Sequence, residues 1–213
     1  MIFSSDELTF LKLIAKCPKP FGIQLEPISK NAKLRGEEAK KKLTEKGILK
    51  NDLLTNTGIL TVRLWEDYCK ATKFFICNRC VVALITDRRC VVSTVVDGGY
   101  EIASGDKIEV LWGLIKNIEV IRGEKKKTPD RITIIDNYRD FRNRVTSFGE
   151  NVLSIGVFDF KLNNKMEKIF YWDDNNIYLF NPEKGEESLV DALYVRRTIA
   201  LGLELNKEEY RIG

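Results

Sequence analysis

Four cysteines fall between residues 69 and 90, and their spacing could in principle bind zinc or form a redox pair. Cys77 and Cys80 form a C-x-x-C motif, with Cys69 and Cys90 further out on either side. Structural zinc sites usually combine two short C-x-x-C pairs, and a thioredoxin-like pair lies at the start of a helix. Here the outer spacings are long and a strand pattern follows Cys80. We therefore predict buried, reduced cysteines flanking a two-residue turn, with zinc or thiol redox chemistry on Cys77 and Cys80 as the weaker alternative.

The chain contains no histidine, which excludes the commonest catalytic arrangements. Histidine is the usual general base near neutral pH, the partner of catalytic serine and cysteine, and the commonest metal ligand. Phosphate-binding glycine motifs are also missing. Acidic pairs such as Asp136 and Asp140 arise by chance in a chain with 31 acidic residues. We predict a protein that is not an enzyme and uses no cofactor or metal.

Composition indicates a folded globular protein. Hydrophobic residues make up 44% of the 213 residues and charged residues 31%, with a net charge of +4. The amino-terminal residues lack the pattern of a secretory signal, and the apolar runs are too short to cross a bilayer. An odd cysteine count also fits reduced thiols. We therefore expect a soluble cytoplasmic protein without membrane insertion.

Apolar periodicity predicts helices in the first 70 residues and antiparallel strands after them. Ser4 and Glu7 have the spacing of a capping box for a first helix at 5–16. A second helix is predicted at 36–46, and Leu60, Leu64 and Tyr68 would form one face of a third. Strand patterns follow at 74–77, 80–86, 90–96 and 100–103, before a helix that Asp106 caps, with Leu111, Trp112 and Ile115 on its buried side.

The second part of the chain repeats this order of elements. A strand or extended segment at 132–135 precedes a helix at 137–148, strands at 152–160, 168–172 and 177–180, and a final helix starting near Glu186. The charged stretch 122–130 separates an amino-terminal half at 1–121 from a carboxy-terminal half at 131–213. The fold class is therefore α+β, an antiparallel sheet flanked by helices, with two pseudo-repeated halves that share the sheet.

Two lysine runs, at 40–42 and 125–127, raise the question of nucleic acid binding. The first lies on a predicted helix before a possible wing, so the start of the chain resembles a winged helix. A recognition helix places its first residues against the bases, and here these are Glu37 and Glu38, which phosphates would repel. Nucleic acid is not expected as the partner, and a winged-helix transcriptional regulator remains the alternative function.

Five consecutive segments, covering about half of the chain, form a recognisable order of elements. They begin with the opening helix SSDELTFLKLIAKC, the second helix ending in KGILKN and the helix ILTVRLWEDYCKATK. The strands FFICNRCVVALITDRRCVVSTVV and the strand-and-helix segment YEIASGDKIEVLWGLIKN follow. In this order the segments resemble the EspG family of cytosolic chaperones for ESX (type VII) secretion. The resemblance implies a chaperone that binds the helical tip of a secreted protein or heterodimer of the WXG100 or LXG kind.

Such a chaperone needs an apolar surface with polar groups at its rim, and two regions are candidates. The first is a predicted hairpin whose arginines can pair with acidic side chains of a partner. The second is the carboxy-terminal segment, which has more apolar residues than one amphipathic stripe needs. The partner-binding residues predicted from the sequence are Asp87, Arg88, Arg89, Leu201, Leu203, Leu205 and Tyr210.

Overall fold

The computed structural model describes residues 1–25, 31–123, 131–135 and 137–206. The chain forms two compact units that contain both helices and antiparallel strands. Unit 1 consists of Met1–Thr72 and Arg79–Gly105, and unit 2 of Lys73–Asn78 and Asp106–Gly213. The predicted α+β class, with an antiparallel sheet flanked by helices, is confirmed. Most of the predicted boundary loop at 122–130 lies outside the described residues, and the halves at 1–121 and 131–213 stay a prediction.

Unit 1 begins with a short strand and a capped helix. The Ser4 side chain accepts a hydrogen bond from the Glu7 N–H, and the Glu7 carboxylate accepts one from the Ser4 N–H at 2.7 Å, which confirms the predicted capping box. Glu7 is buried, and the Lys46 ammonium binds its other oxygen at 2.5 Å. This ion pair connects the end of the second helix to the start of the first. The helices of unit 1 are α1 (Ser5–Ala15), α2 (Ala32–Glu45) and α3 (Asn56–Lys70).

A small hairpin, the wing, lies between α2 and α3. Its two turn residues, Asn51 and Asp52, have positive φ angles of 50° and 65°, as expected for a tight hairpin turn. Thr55 follows the wing and caps α3, because its hydroxyl oxygen accepts a hydrogen bond from the Gly58 N–H at 3.0 Å. The strands of unit 1 are β1 (Ile2–Phe3), β2 (Leu49–Lys50), β3 (Leu53–Leu54), β5 (Cys80–Leu84), β6 (Arg89–Val96) and β7 (Gly99–Asp106). Strands β2 and β3 pair with each other, and the rest follow the order β1-β7-β6-β5.

Unit 2 contains six strands and three helices. The strands are β4 (Lys73–Cys77), β8 (Ile132–Ile134), β9 (Val152–Asp159), β10 (Asn164–Trp172), β11 (Ile177–Asn181) and β12 (Glu186–Val190). The helices are α4 (Lys107–Asn117), α5 (Tyr138–Thr146) and α6 (Ala192–Gly202), with a 3₁₀ turn at Glu119–Arg122. The strands follow the order β4-β9-β10-β11-β12-β8, and neighbouring strands pair antiparallel. Helix α6 packs on one face, where the Tyr194 and Phe170 rings lie 6.3 Å apart. Helix α5 packs on the other face, where the Phe141 and Phe180 rings stack 4.2 Å apart.

The predicted start of the final helix near Glu186 is wrong. Residues Glu186–Val190 form strand β12, paired with β11 on one side and β8 on the other. Helix α6 begins only at Ala192, because the Asp191 carboxylate accepts a hydrogen bond from the Tyr194 N–H at 2.7 Å and caps it. Leu189 has helical spacing to Leu193, but the edge of β11 offers this segment backbone partners that the sequence pattern does not reveal.

The predicted buried side of α4 and the predicted face of α3 each include one residue that is exposed. Trp112 on α4 is half exposed, although Leu111 and Ile115 beside it are buried as predicted. On α3 the buried side consists of Gly58, Trp65, Tyr68 and Cys69, whereas Leu60 is 66% exposed. At about 100° per residue Leu60 lies about 80° around the helix from Tyr68, which is enough to turn it to the surface.

Within the described residues, no helix is both long enough and apolar enough to span a bilayer.

Candidate functional site

The predicted hairpin at Asp87, Arg88 and Arg89 joins β5 to β6, and the structure connects it to α3. The Arg89 guanidinium lies 2.5 Å from the Asp67 carboxylate of α3. The Arg89 carbonyl accepts the N–H groups of residues 85 and 86, which closes the turn. Asp87 and Arg88 are exposed, and the described residues offer neither side chain an ion-pair partner. The hairpin therefore presents one free positive and one free negative charge beside α3.

Next to this hairpin, α3 and the wing expose apolar side chains. Leu60 shares the outward side of α3 with Arg63 and Asp67, since residues three and seven positions apart lie along one helix face. Ile59 and the wing residue Leu53 are also exposed and lie close to Leu60 in the chain. We call Leu53, Ile59, Leu60 and Leu64, with the charged rim of Arg63, Asp67 and residues 87–89, the wing–α3 surface. Sequence reasoning identified the hairpin but missed the apolar part, because it placed Leu60 on the same helix face as Tyr68, which is buried.

The predicted carboxy-terminal contact residues fall into three groups. Leu201 is exposed on α6, whereas Leu203 and Leu205 are 0% and 4% exposed. The chain reverses at Glu204, whose φ is +59°, and the Leu205 N–H donates to the Ala200 carbonyl. This turn folds both leucines into the core, so the prediction that they contact a partner is corrected. Tyr210 lies outside the described residues.

The same turn brings Glu204 to a buried lysine. The Lys107 side chain is completely buried at the start of α4, and its ammonium lies 3.2 Å from the Glu204 carboxylate. Lys73 of β4 binds the other Glu204 oxygen at 2.6 Å. Burial by itself would raise the pKa of Glu204, but hydrogen bonds from Lys73 and Lys107 outweigh burial and hold the pKa below its usual value. Glu204 therefore remains ionised and connects α6 to α4 and β4.

Unit 2 also has a groove of about 520 Å³ between α5 and the strands β8, β11 and β12. The Glu187 carboxylate lies buried at its base and binds the Arg144 guanidinium at 3.0 and 3.3 Å. The Tyr171 hydroxyl donates a hydrogen bond to the same carboxylate. Burial is the larger cause, and this hydrogen bond the second, of a raised pKa for Tyr171. Because Arg144 is already paired and also lies over the rings of Phe148 and Tyr178, it is a structural residue here. Around this base the groove is lined by Arg131, Thr133, Ile134, Asp140, Asn176 and Leu189.

The cysteines pack as core residues. All five are thiols and not disulfides, and only Cys80 is partly exposed. Burial raises the pKa of both Cys69 and Cys80, which disfavours the reactive thiolate. In the part of the chain that the structure describes, no three acidic or cysteine side chains are grouped to hold a metal ion.

The basic residues of α2 are partly neutralised within unit 1. Two of them, and Lys46 directly after the helix, bind carboxylates of neighbouring elements, which leaves less positive charge to attract phosphate groups. The pairs are Arg35 with Asp6, Lys40 with Asp52, and Lys46 with Glu7. A DNA-binding role for α2 and the wing therefore has less support than their order in the chain suggests.

The fold is that of an α+β protein with two compact units, and its exposed apolar residues include Leu60 on α3 and Ile132 and Ile134 on β8. The chain belongs to the family described as a domain of unknown function, DUF5081, whose model matches residues 1–198. The comparison with curated proteins found no match.

Proposed function

We propose that this protein is a chaperone or adaptor that binds a helical segment of another protein through the wing–α3 surface. The observation that carries the proposal is the exposure of Leu60 on a regular, well-capped helix with Ile59 and Leu53 nearby. Single exposed leucines are common, but several adjoining ones with a charged rim are typical of interaction surfaces.

A helix is the partner element that fits this surface best. The outward side of α3 offers apolar and charged residues at helical spacing, to which the ridge of a second helix can pack. Arg63, Asp87 and Arg88 at the rim can form ion pairs that fix the orientation of the partner. A helical tip that exposes apolar residues would be protected from aggregation while it is bound.

The identity of the partner is proposed from the resemblance to the EspG family. On that basis the bound protein is a secreted helical protein or heterodimer of a type VII (ESX) system, of the WXG100 or LXG kind. The chaperone would act in the cytoplasm without turnover of any substrate. The winged-helix regulator is the alternative; the order of α2 and the wing favours it, and the internal ion pairs of α2 weigh against it.

Co-expression with candidate helical secreted proteins, followed by gel filtration, tests the proposal. Wild-type protein should co-elute with its partner, and Leu60→Asp should weaken binding about tenfold or more, because one buried leucine contributes about 1.5–3 kcal/mol. Leu13→Asp on α1 is the matched control, since Leu13 is equally exposed but outside this surface. Circular dichroism and thermal melting should show that both variants are folded.

Two results would contradict the proposal. Equal co-elution of the Leu60→Asp and Leu13→Asp variants would remove the wing–α3 surface as the binding site. Binding of duplex DNA with a steep dependence on salt, in the absence of any co-eluting protein, would favour the regulator.

A further inference from the structure

Strand β8 is the outermost strand of unit 2, and its apolar side chains are unusually exposed. One edge pairs with β12, and among the described residues no strand pairs with the other edge. Ile132 is 63% exposed and Ile134 is 69% exposed. Proteins usually protect such edges with charges, prolines or bulges, because exposed edge strands readily pair with other chains.

The register of β8 shows which backbone groups are available at this edge. Thr133 lies opposite Glu187, and the Ile135 N–H donates to the Gly185 carbonyl at 2.9 Å. In an antiparallel pair, hydrogen-bonded and non-hydrogen-bonded positions alternate along the strand. Residues 133 and 135 therefore direct their N–H and C=O groups toward β12. The N–H and C=O groups of Ile132 and Ile134 point to the open edge.

The two sides of β8 differ in chemistry. Thr133 and Glu187 share one face of the sheet, the face on which α5 packs and on which the groove lies. Arg131 also lines the groove. Because side chains alternate along a strand, the side chains of Ile132 and Ile134 project to the opposite face, although Ile134 also borders the groove. A strand added at this edge would therefore direct every second side chain toward the groove and the others toward the two isoleucines.

The charge of this region indicates an acidic occupant. Among the described residues of the segment 122–147, five are basic and one, Asp140, is acidic. The Glu187 carboxylate neutralises Arg144. Within the described part of the chain, Arg131, Arg139 and Arg142 have no carboxylate partner, and all three are exposed.

We propose that β8 binds an extended, acidic segment of a partner protein as an additional strand. The partner backbone pairs with Ile132 and Ile134, its acidic side chains face Arg131 and the groove, and its apolar side chains cover the two isoleucines. Strand addition of this kind obtains affinity from backbone hydrogen bonds and specificity from alternate side chains. The proposal concerns unit 2 alone and does not depend on the wing–α3 surface of unit 1.

Other occupants fit less well. A second copy of this chain would bring two equally basic segments together, and like charges repel. Nucleic acid would match the charge, but it offers no strand backbone to the outward N–H and C=O groups of Ile132 and Ile134.

Binding of a fluorescein-labelled peptide of eight residues that alternates glutamate and valine tests the proposal by fluorescence anisotropy. The informative variant is Ile134→Pro, which removes an N–H that points outward and so leaves the pairing with β12 intact. We expect this variant to bind the peptide about tenfold more weakly than wild type. Ile134→Val, the matched control, keeps both the N–H and an apolar side chain and should bind within about twofold of wild type.

The contribution of charge is tested separately. The Arg131→Glu variant should bind the glutamate peptide about tenfold more weakly than wild type, and wild type should bind a peptide that alternates lysine and valine about tenfold more weakly than the glutamate peptide.

Equal affinity of Ile134→Pro and Ile134→Val, or no binding of the glutamate peptide to wild type at about 1 mM, would overturn the proposal. Displacement of the peptide by duplex DNA, or self-association that Ile134→Pro abolishes, would assign the edge to a different occupant. Failure here leaves binding at Leu60 unaffected, so the two proposals can be distinguished.

Discussion

At the scale of single residues, the buried Lys107 is the least expected feature of this protein. Moving an ammonium group out of water is unfavourable unless a carboxylate lies close to it. Glu204 supplies that carboxylate from a position 97 residues away in the chain, at the left-handed turn after α6. Because the Glu204 carboxylate also binds Lys73, it holds three elements of unit 2 in place.

We expect Glu204→Gln to lower the free energy of unfolding at neutral pH by roughly 1–3 kcal/mol, because the variant leaves the Lys107 charge buried without its carboxylate. The pKa of Glu204 is lowered in the folded protein, so its contribution is present above the ordinary glutamate pKa and disappears as the pH falls through the folded value. Urea unfolding at about pH 7 and about pH 3 measures both effects.

The difference between wild type and Glu204→Gln should therefore shrink in acid. Glu183→Gln is a suitable control, because Glu183 lies exposed in the β11–β12 turn, and it should change stability by less than about 0.5 kcal/mol. A loss that is equally large at both pH values would show that the ionised carboxylate is not responsible.

At the scale of elements, two helical glycines have opposite surroundings. A methyl group on Gly58 of α3 would lie 2.1 Å from the Ile48 carbonyl oxygen, where the wing crosses the start of the helix. A methyl group on Gly36 of α2 would meet no atom within 4 Å. Helix propensity favours alanine over glycine at both sites, so only the packing distinguishes them.

We predict that Gly36→Ala stabilises the protein by about 0.5–1 kcal/mol, because alanine loses less backbone entropy in a helix. Gly58→Ala should instead destabilise it by about 1–3 kcal/mol, since the wing must move away from α3. Thermal melting of the two variants side by side measures the contrast. Stabilisation by both substitutions would mean that α3 and the wing do not approach as closely as described.

At the scale of the whole molecule, the five thiols report on the packing of both units. Cys77 belongs to unit 2 and the other four to unit 1, and four of the five are buried. Cys80 is the only one that solvent partly reaches, and burial raises its pKa as well.

We expect the native protein to react slowly with Ellman's reagent near neutral pH, because the thiolate is the reactive form and burial disfavours it. Unfolding in guanidinium should release all five thiols. The slow native reaction should be largely lost in Cys80→Ser, which should still release four thiols when unfolded. Rapid reaction of several thiols in the native protein would contradict the burial described here.

Several elements could be predicted from the sequence because their causes are local. The side chains of Ser4 and Asp106 accept hydrogen bonds from backbone N–H groups no more than three residues further along the chain. Both helices that they cap begin where predicted. The strands from β4 to β7 follow from short apolar runs and turns. Residues Glu186–Val190 were assigned to a helix because periodicity cannot show that a neighbouring strand edge is open.

The sequence by itself determined the α+β class, most helix and strand positions, the absence of histidine chemistry and the location of the charged hairpin. Tertiary structure alone decided that Leu60 lies on the surface, that Leu203 and Leu205 lie in the core, and that β8 ends the strands of unit 2. The reason is physical: capping and periodicity act over a few residues, whereas exposure depends on which distant element covers each face. The pairing of Lys107 with Glu204 is likewise a property of the folded chain.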